Sequence, residues 1–154
     1  MSAEPERSCV TLDRVISADA ELHHIGFAVD DIERALAGFQ HSLQAEWNGR
    51  IWEDPRQGVR VAFLAARGNP VQIELVSPWG DDSPVAQFLE RGGGLHHVCY
   101  QVAGLDARLA EMRGRGSLIV RAPQPAVAFE NRRIAWLITR EKLLIELLER
   151  LDPA

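Results

Sequence analysis

The spacing of apolar positions along this chain changes in a regular order. In "ELHHIGFAV" (21–29) successive side chains fall on alternate faces of a strand, with Ile25, Phe27 and Val29 on one and Gly26 and Ala28 on the other. In "DDIERALAGFQ" (30–40) the apolar residues Ile32, Ala35, Leu36 and Phe39 recur at helical spacing, and Asp30 with Glu33 is the expected capping pair. "AEWNGRIWE", "VRVAFLAA" and "VQIELVS" then read as three strands separated by polar or Gly/Pro turns. The same order, strand, helix and three strands, returns from "GLHHVCYQV" onward, with "GSLIVRA" standing for the first of the later strands. Between the two units, "SPVAQFLERGGG" predicts a short linker helix capped by Ser83, begun at Pro84 and stopped at Gly92.

The recurrence is a tandem duplication. Leu22-His23-His24-Ile25 falls on Leu95-His96-His97-Val98, and Ile32, Leu36 and Phe39 fall on Leu105, Leu109 and Met112, at a constant offset of 73 residues. "VRVAFL" (59–64) keeps that offset against "RRIAWL" (132–137), and "VQIEL" (71–75) matches "LLIEL" (143–147) with one residue fewer in the intervening turn. The expected organisation is an extension over 1–20 without a counterpart, a first βαβββ module over 21–80, a linker over 81–93 and a second module over 94–150. Together they form one α+β domain, with mixed sheets enclosing an open cavity.

Composition narrows the function classes. The chain has 154 residues and a net charge of −5, from 22 acids against 17 bases, which argues against a general nucleic-acid binder. No run of about 18 apolar residues suggests a membrane span, and "MSAEPERSCVTLDRV" does not read as a secretory signal. Cys9 and Cys99 are too few for a disulfide framework, so a reducing cytoplasm is the expected location. The single lysine, Lys142, lies beside a predicted turn, which disfavours Schiff-base chemistry.

Four of the five histidines sit in the two duplicated doublets. Alternation puts His24 with Gly26 and Ala28, and His97 with Cys99 and Gln101, on relatively open faces. His23 and His96 then face or border the core as structural residues. Glu74 and Glu146 lie inside the apolar runs "VQIELVS" and "LLIELLE", where a carboxylate needs a partner. Each alone has a plain explanation: a packed histidine, or a strand glutamate that is solvated or paired with Arg60 or Arg133. The joint, duplicated pattern favours one divalent metal held by His24, Glu74, His97 and Glu146, each copy giving one imidazole and one carboxylate. Such a set suits first-row ions and leaves Co, Mn, Ni, Zn and Fe undistinguished. Open positions on the ion would serve substrate or water. Cys99 reads as a buried, inert thiol, and Gln72 and Gln101 as candidate substrate contacts.

"LHHIGFAVDDIERAL", "QGVRVAFLAARGN", "IELVSPWGDDSPVAQFLERGGGLHHVCYQV" and the terminal "LLIELLE" resemble the vicinal oxygen chelate superfamily, and within it the methylmalonyl-CoA epimerases. The resemblance implies metal-assisted proton transfer at the carbon alpha to a thioester carbonyl. It also implies Glu74 and Glu146 as acid and base, an acyl thioester of CoA or of a carrier protein as substrate, and a homodimer. "AFENRR" and "LITREKLLIEL" depart from the family's loop and its "HPK" segment, so the acyl group stays open, with Arg132, Arg133, Arg140 and Lys142 as candidate anion contacts. "VRVAFL" offers no inward carboxylate as a separate base. Two other functions compete: a glyoxalase-like isomerase of a hemithioacetal, and a non-catalytic resistance-type binding protein that needs no metal. A ring-cleaving dioxygenase would use only three protein ligands.

Overall fold

The structure, a computed structural model, describes residues 19–151; Cys9 and most of the expected N-terminal extension lie outside them. The first unit comprises β1 (Glu21–Ala28), α1 (Ile32–Leu43), β2 (Ala45–Asp54), β3 (Val59–Ala66) and β4 (Gln72–Pro78). After α2 (Ala86–Glu90) the second comprises β5 (Gly94–Val102), α3 (Leu105–Gly114), β6 (Leu118–Pro125), a 3-10 turn at Val127–Phe129, β7 (Arg133–Ile138) and β8 (Leu144–Glu149). Among the described residues, no helix is long and apolar enough to cross a membrane.

Local chemistry shifts two of the expected caps. Asp31, not Asp30, caps α1, its carboxylate accepting from the Arg34 amide at 2.8 Å. Glu33 is thereby released from a capping box and pairs instead with Arg60 on β3 at 2.7 Å. The linker helix is shorter than expected. Residues 84 and 85 form a turn in which the Val85 amide donates to Ser83 Oγ at 3.4 Å, and the helix begins at Ala86. Gly92, at φ +118°, lies beyond its end as predicted.

All eight strands join one sheet in the order β2-β3-β4-β1-β5-β8-β7-β6. The order is a palindrome under the duplication. β1 pairs parallel with β4, β5 pairs parallel with β8, and antiparallel β1 and β5 weld the halves edge to edge. Each helix buries the face its spacing implied: Ile32 and Leu36 pack with Ala62, Leu64 and Leu75, and Leu105, Leu109 and Met112 with Ala135, Leu137 and Leu147. A third cluster spans both halves and includes Val61, Phe63 and Val76 from the first with Phe129, Ile134 and Leu148 from the second.

One expectation about faces is reversed. His24 and His97 are on the fully buried face, at 0% and 1% exposure, while His23 and His96 are only partly buried. Strict alternation also breaks at both doublets: the β1–β5 register skips His23 and His96, a β-bulge at each, so each ring lies beside that of the histidine that follows it, Nδ1 to Nδ1 at 2.9 and 3.0 Å. Phe63 from β3, Trp136 from β7 and Phe129 from the 3-10 turn close over the two imidazoles.

Candidate metal centre

His24 on β1 and His97 on β5 approach across the central strand pair, with their Nε2 atoms 3.1 Å apart. Glu74 on β4 and Glu146 on β8 flank them, because the two parallel ladders place Gly26 opposite Glu74 and Cys99 opposite Glu146. His24 Nε2 lies 3.0 Å from Glu146 Oε2 and 3.5 Å from Glu74 Oε2. His97 Nε2 lies 3.1 Å from Glu74 Oε2 and 3.6 Å from Glu146 Oε2. The close contact is with the other copy's carboxylate each time, so the cluster has near-twofold symmetry. All four predicted residues meet, and all are buried.

These four residues fit a divalent ion. Donors about 2.0–2.2 Å from a first-row ion stand roughly 3.0–3.6 Å apart, the range seen here. Glu146 Oε2 is buried without a hydrogen-bond partner among the described residues, although it faces both imidazoles. Two carboxylates, two neutral imidazoles and a dication sum to zero charge, the cheapest state for an enclosed site. The arginines that might have neutralised the glutamates are engaged elsewhere: Arg60 with Glu33 and Glu53, Arg133 with Glu149 and Asp106.

Without an ion, the four side chains balance one another through protons. Burial opposes charge on His24, but Cys99, Glu74 and Glu146 outweigh it and hold its pKa well above the ordinary value. His97 is raised in the same way by Glu146 and Glu74. Burial would raise both glutamates, yet the imidazoles keep them below the usual carboxylate range. A dication can therefore replace the two imidazolium protons with no change in net charge.

The doublets are explained by the outer ring nitrogens. His23 Nδ1 lies 2.9 Å from His24 Nδ1, and His96 Nδ1 lies 3.0 Å from His97 Nδ1. If Nε2 of His24 and His97 is to offer a lone pair at the centre, Nδ1 carries the proton and donates it to the preceding histidine. Those acceptors must stay neutral. Burial, followed by the neighbouring imidazole, pushes both His23 and His96 down to about 4.

Several contributors escaped the sequence reading. Phe63 on β3 packs edge-on to His24 at 5.5 Å, and Trp136 on β7 packs edge-on to His97 at 4.8 Å. These two correspond in the duplication, which was the available signal. Phe129 stacks on His24 at 5.8 Å from a turn with no counterpart. A Cβ on Gly26 would collide with the His97 ring. In the second copy the corresponding residue is Cys99, which contacts His24 and whose thiol burial pushes up to about 12, leaving it inert.

Glu74, His97 and Glu146 open into a cavity of about 290 Å³ walled by Val59, Val61, Val76, Val85, Ile134 and Trp136. Asp54 and Gln57 also line it. Gln72, Gln101, Arg132, Arg133, Arg140 and Lys142 do not. Gln101 instead accepts from Arg132 at 2.8 Å beside a separate surface depression.

Fold and site together define a protein of paired βαβββ units around a buried centre of two histidines and two glutamates. Residues 23–136 match the model of the glyoxalase/bleomycin resistance protein/dioxygenase superfamily, and the chain belongs to that superfamily. It is 33% identical over 118 residues to the ethylmalonyl-CoA/methylmalonyl-CoA epimerase of Cereibacter sphaeroides, covering 75% of this chain and 86% of that one. It is 36% identical over 94 residues to the human mitochondrial methylmalonyl-CoA epimerase, covering 60% of this chain but only 52% of the human protein. Among solved structures, methylmalonyl-CoA epimerase from Mycobacterium tuberculosis superposes with a TM-score of 0.74 at 31% identity, covering 85% of this chain and 88% of that one.

Proposed function

We propose that this chain is a metal-dependent isomerase of the methylmalonyl-CoA epimerase kind, moving the proton on the carbon alpha to a thioester carbonyl. The observation that carries the reading is the near-symmetric His24–Glu74–His97–Glu146 cluster opening into an apolar cavity, in a chain whose relatives bear that name. His24, Glu74, His97 and Glu146 would hold a first-row divalent ion: Co, Mn, Ni, Zn or Fe. Such an ion supplies a Lewis acid for the negative charge that develops on the thioester oxygen as the proton leaves. The resemblance to the epimerases supports an acyl-CoA or acyl-carrier substrate, a homodimer and a cytoplasmic location.

Inverting a stereocentre requires a proton acceptor on one face and a donor on the other. The cavity is lined by three carboxylates, Asp54, Glu74 and Glu146. Asp54 accepts from the Arg56, Gln57 and Val127 amides at 3.0, 3.2 and 3.0 Å, so both its oxygens are occupied. Glu74 and Glu146 remain, approaching the centre from opposite halves of the sheet. Each presents Oε2 to the imidazoles, which leaves its second oxygen to carry the proton. The valines, Ile134 and Trp136 limit the water that could compete for the carbanion.

The test is deuterium wash-in from heavy water into methylmalonyl-CoA, with metal-loaded protein and a chelated control. Metal-dependent exchange at the alpha carbon is expected. Glu74→Gln and Glu146→Gln should each slow it by about a hundredfold or more, and His24→Ala or His97→Ala should lower the metal content. A protein that holds one ion per chain yet exchanges nothing would overturn the substrate reading.

A further inference from the structure

Asp54 ends β2 and is only 3% exposed. Its Oδ1 accepts the Arg56 and Gln57 amides of its own turn, at 3.0 and 3.2 Å. Its Oδ2 instead crosses to the other half and accepts the Val127 amide at 3.0 Å. Val127 opens the 3-10 turn, and the first N–H of such a turn has no partner within it. Ala126, at the place where a capping side chain would stand, carries no acceptor. The first half therefore supplies the cap that the second half lacks. The bond ties the ends of β2 and β6, the two outermost strands of the sheet, and joins residues 73 apart, the offset of the duplication.

Phe129 closes the same turn and is buried. Its ring lies within 17° of parallel to that of His24, with centroids 5.8 Å apart, and stands edge-on to His23 at 5.6 Å. One short turn thus carries both the N–H that Asp54 holds and the ring that backs the first doublet. A ring packed on the face of an imidazole limits its tilt, and the tilt sets where the Nε2 lone pair points. We propose that Asp54 is a positioning residue for the metal centre: by holding the Val127 amide it fixes the turn, and through Phe129 it sets the orientation of His24. The inference rests on the metal-centre reading above. Among the described residues, the ring neighbours of His97 are His24, His96 and Trp136, all on strands, so the effect falls on His24 first.

Two variants cut the bond from opposite ends. Asp54→Asn keeps one oxygen for its own turn and sets an N–H against the Val127 N–H. Val127→Pro removes the donor and leaves the β2–β3 turn untouched. Proline suits the first position of a helical turn, and Ala126, at φ −117° and ψ 128°, already has the backbone that precedes a proline. Phe129→Leu removes the ring itself and marks the full effect. In metal-free protein, both cutting variants should move the His24 ring-proton resonances toward their positions in Phe129→Leu. Metal affinity, measured against a competing chelator, should fall about tenfold in each, with little further loss when either is combined with Phe129→Leu. A loss in Asp54→Asn but not in Val127→Pro would overturn the proposal, since the carboxylate would then only cap its own turn. So would losses that add to that of Phe129→Leu, unchanged affinity in both variants, or His24 resonances left in place. If Asp54→Asn does not fold, Val127→Pro decides alone. A wild-type protein that binds no ion loses the metal reading, and the resonances then decide the positioning role by themselves.

Discussion

Gly26 and Cys99 hold corresponding places in the two copies, but one leaves a gap and the other fills it. The gap at Gly26 is where the His97 ring sits, so Gly26→Ala sets a methyl group against an imidazole. Overpacking of this kind costs about 1–3 kcal/mol and is relieved by moving the less anchored partner. We expect the variant to fold, with His97 displaced and metal affinity lowered at least about tenfold, measured by titration against a competing chelator. Unchanged affinity would mean that His97 is not a ligand. The four cluster residues were legible in the sequence because duplication pairs them, and because a carboxylate amid leucines needs an explanation. Gly26 and Phe129 were not, since each acts through a neighbour distant in sequence. The open face assigned to His24 and His97 failed because aromatic rings distant in sequence cover it, and strict alternation failed at His23 and His96 because both are bulged residues.

Among the elements, β7, β8 and α3 are tied together by Arg133, which donates to Glu149 at 2.6 and 2.9 Å and to Asp106 at 2.9 Å. Hydrogen bonding to Arg133 holds the Glu149 carboxyl below its ordinary range. A carboxylate whose folded pKa is depressed adds stability above its unfolded value of about 4.3, and loses it as pH falls through the folded one. Arg133→Met should therefore melt slightly below wild type near neutral pH, and the difference should begin to close as the pH falls below the unfolded value and vanish once it is below the folded one. The pair is partly exposed, so the effect should be small and should shrink with added salt. A melting-temperature series over pH and salt checks both trends. The order of strands and helices was readable from periodicity alone. Cap positions were not: Asp30 and Asp31 are chemically equivalent, and the choice between them depends on where the chain leaves β1.

For the molecule as a whole, the palindromic sheet places two donors in each half and the centre on the seam between β1 and β5. A ligand that binds only the joined state stabilises it in proportion to its occupancy. At a hundred times its dissociation constant the gain is about 2.7 kcal/mol, and for a chain of this size that raises the melting temperature by roughly 5–11 °C. Calorimetry with metal and with chelator measures the shift, and no shift would argue that the four side chains do not bind an ion. That the halves repeat was visible in the sequence. That they fuse into a single sheet, with β1 beside β5, was not, because the pairing of the two opening strands leaves no mark on their spacing.

Divided ownership of the donors would also order the maturation of a metal-loaded protein. A nascent chain with only its first half folded owns one imidazole and one carboxylate at the seam, too few to retain an ion against competing cellular ligands. If the four residues hold an ion, the centre would act as a coincidence detector that charges only when both halves have arrived and met, and metal uptake would be among the last events in the making of the protein.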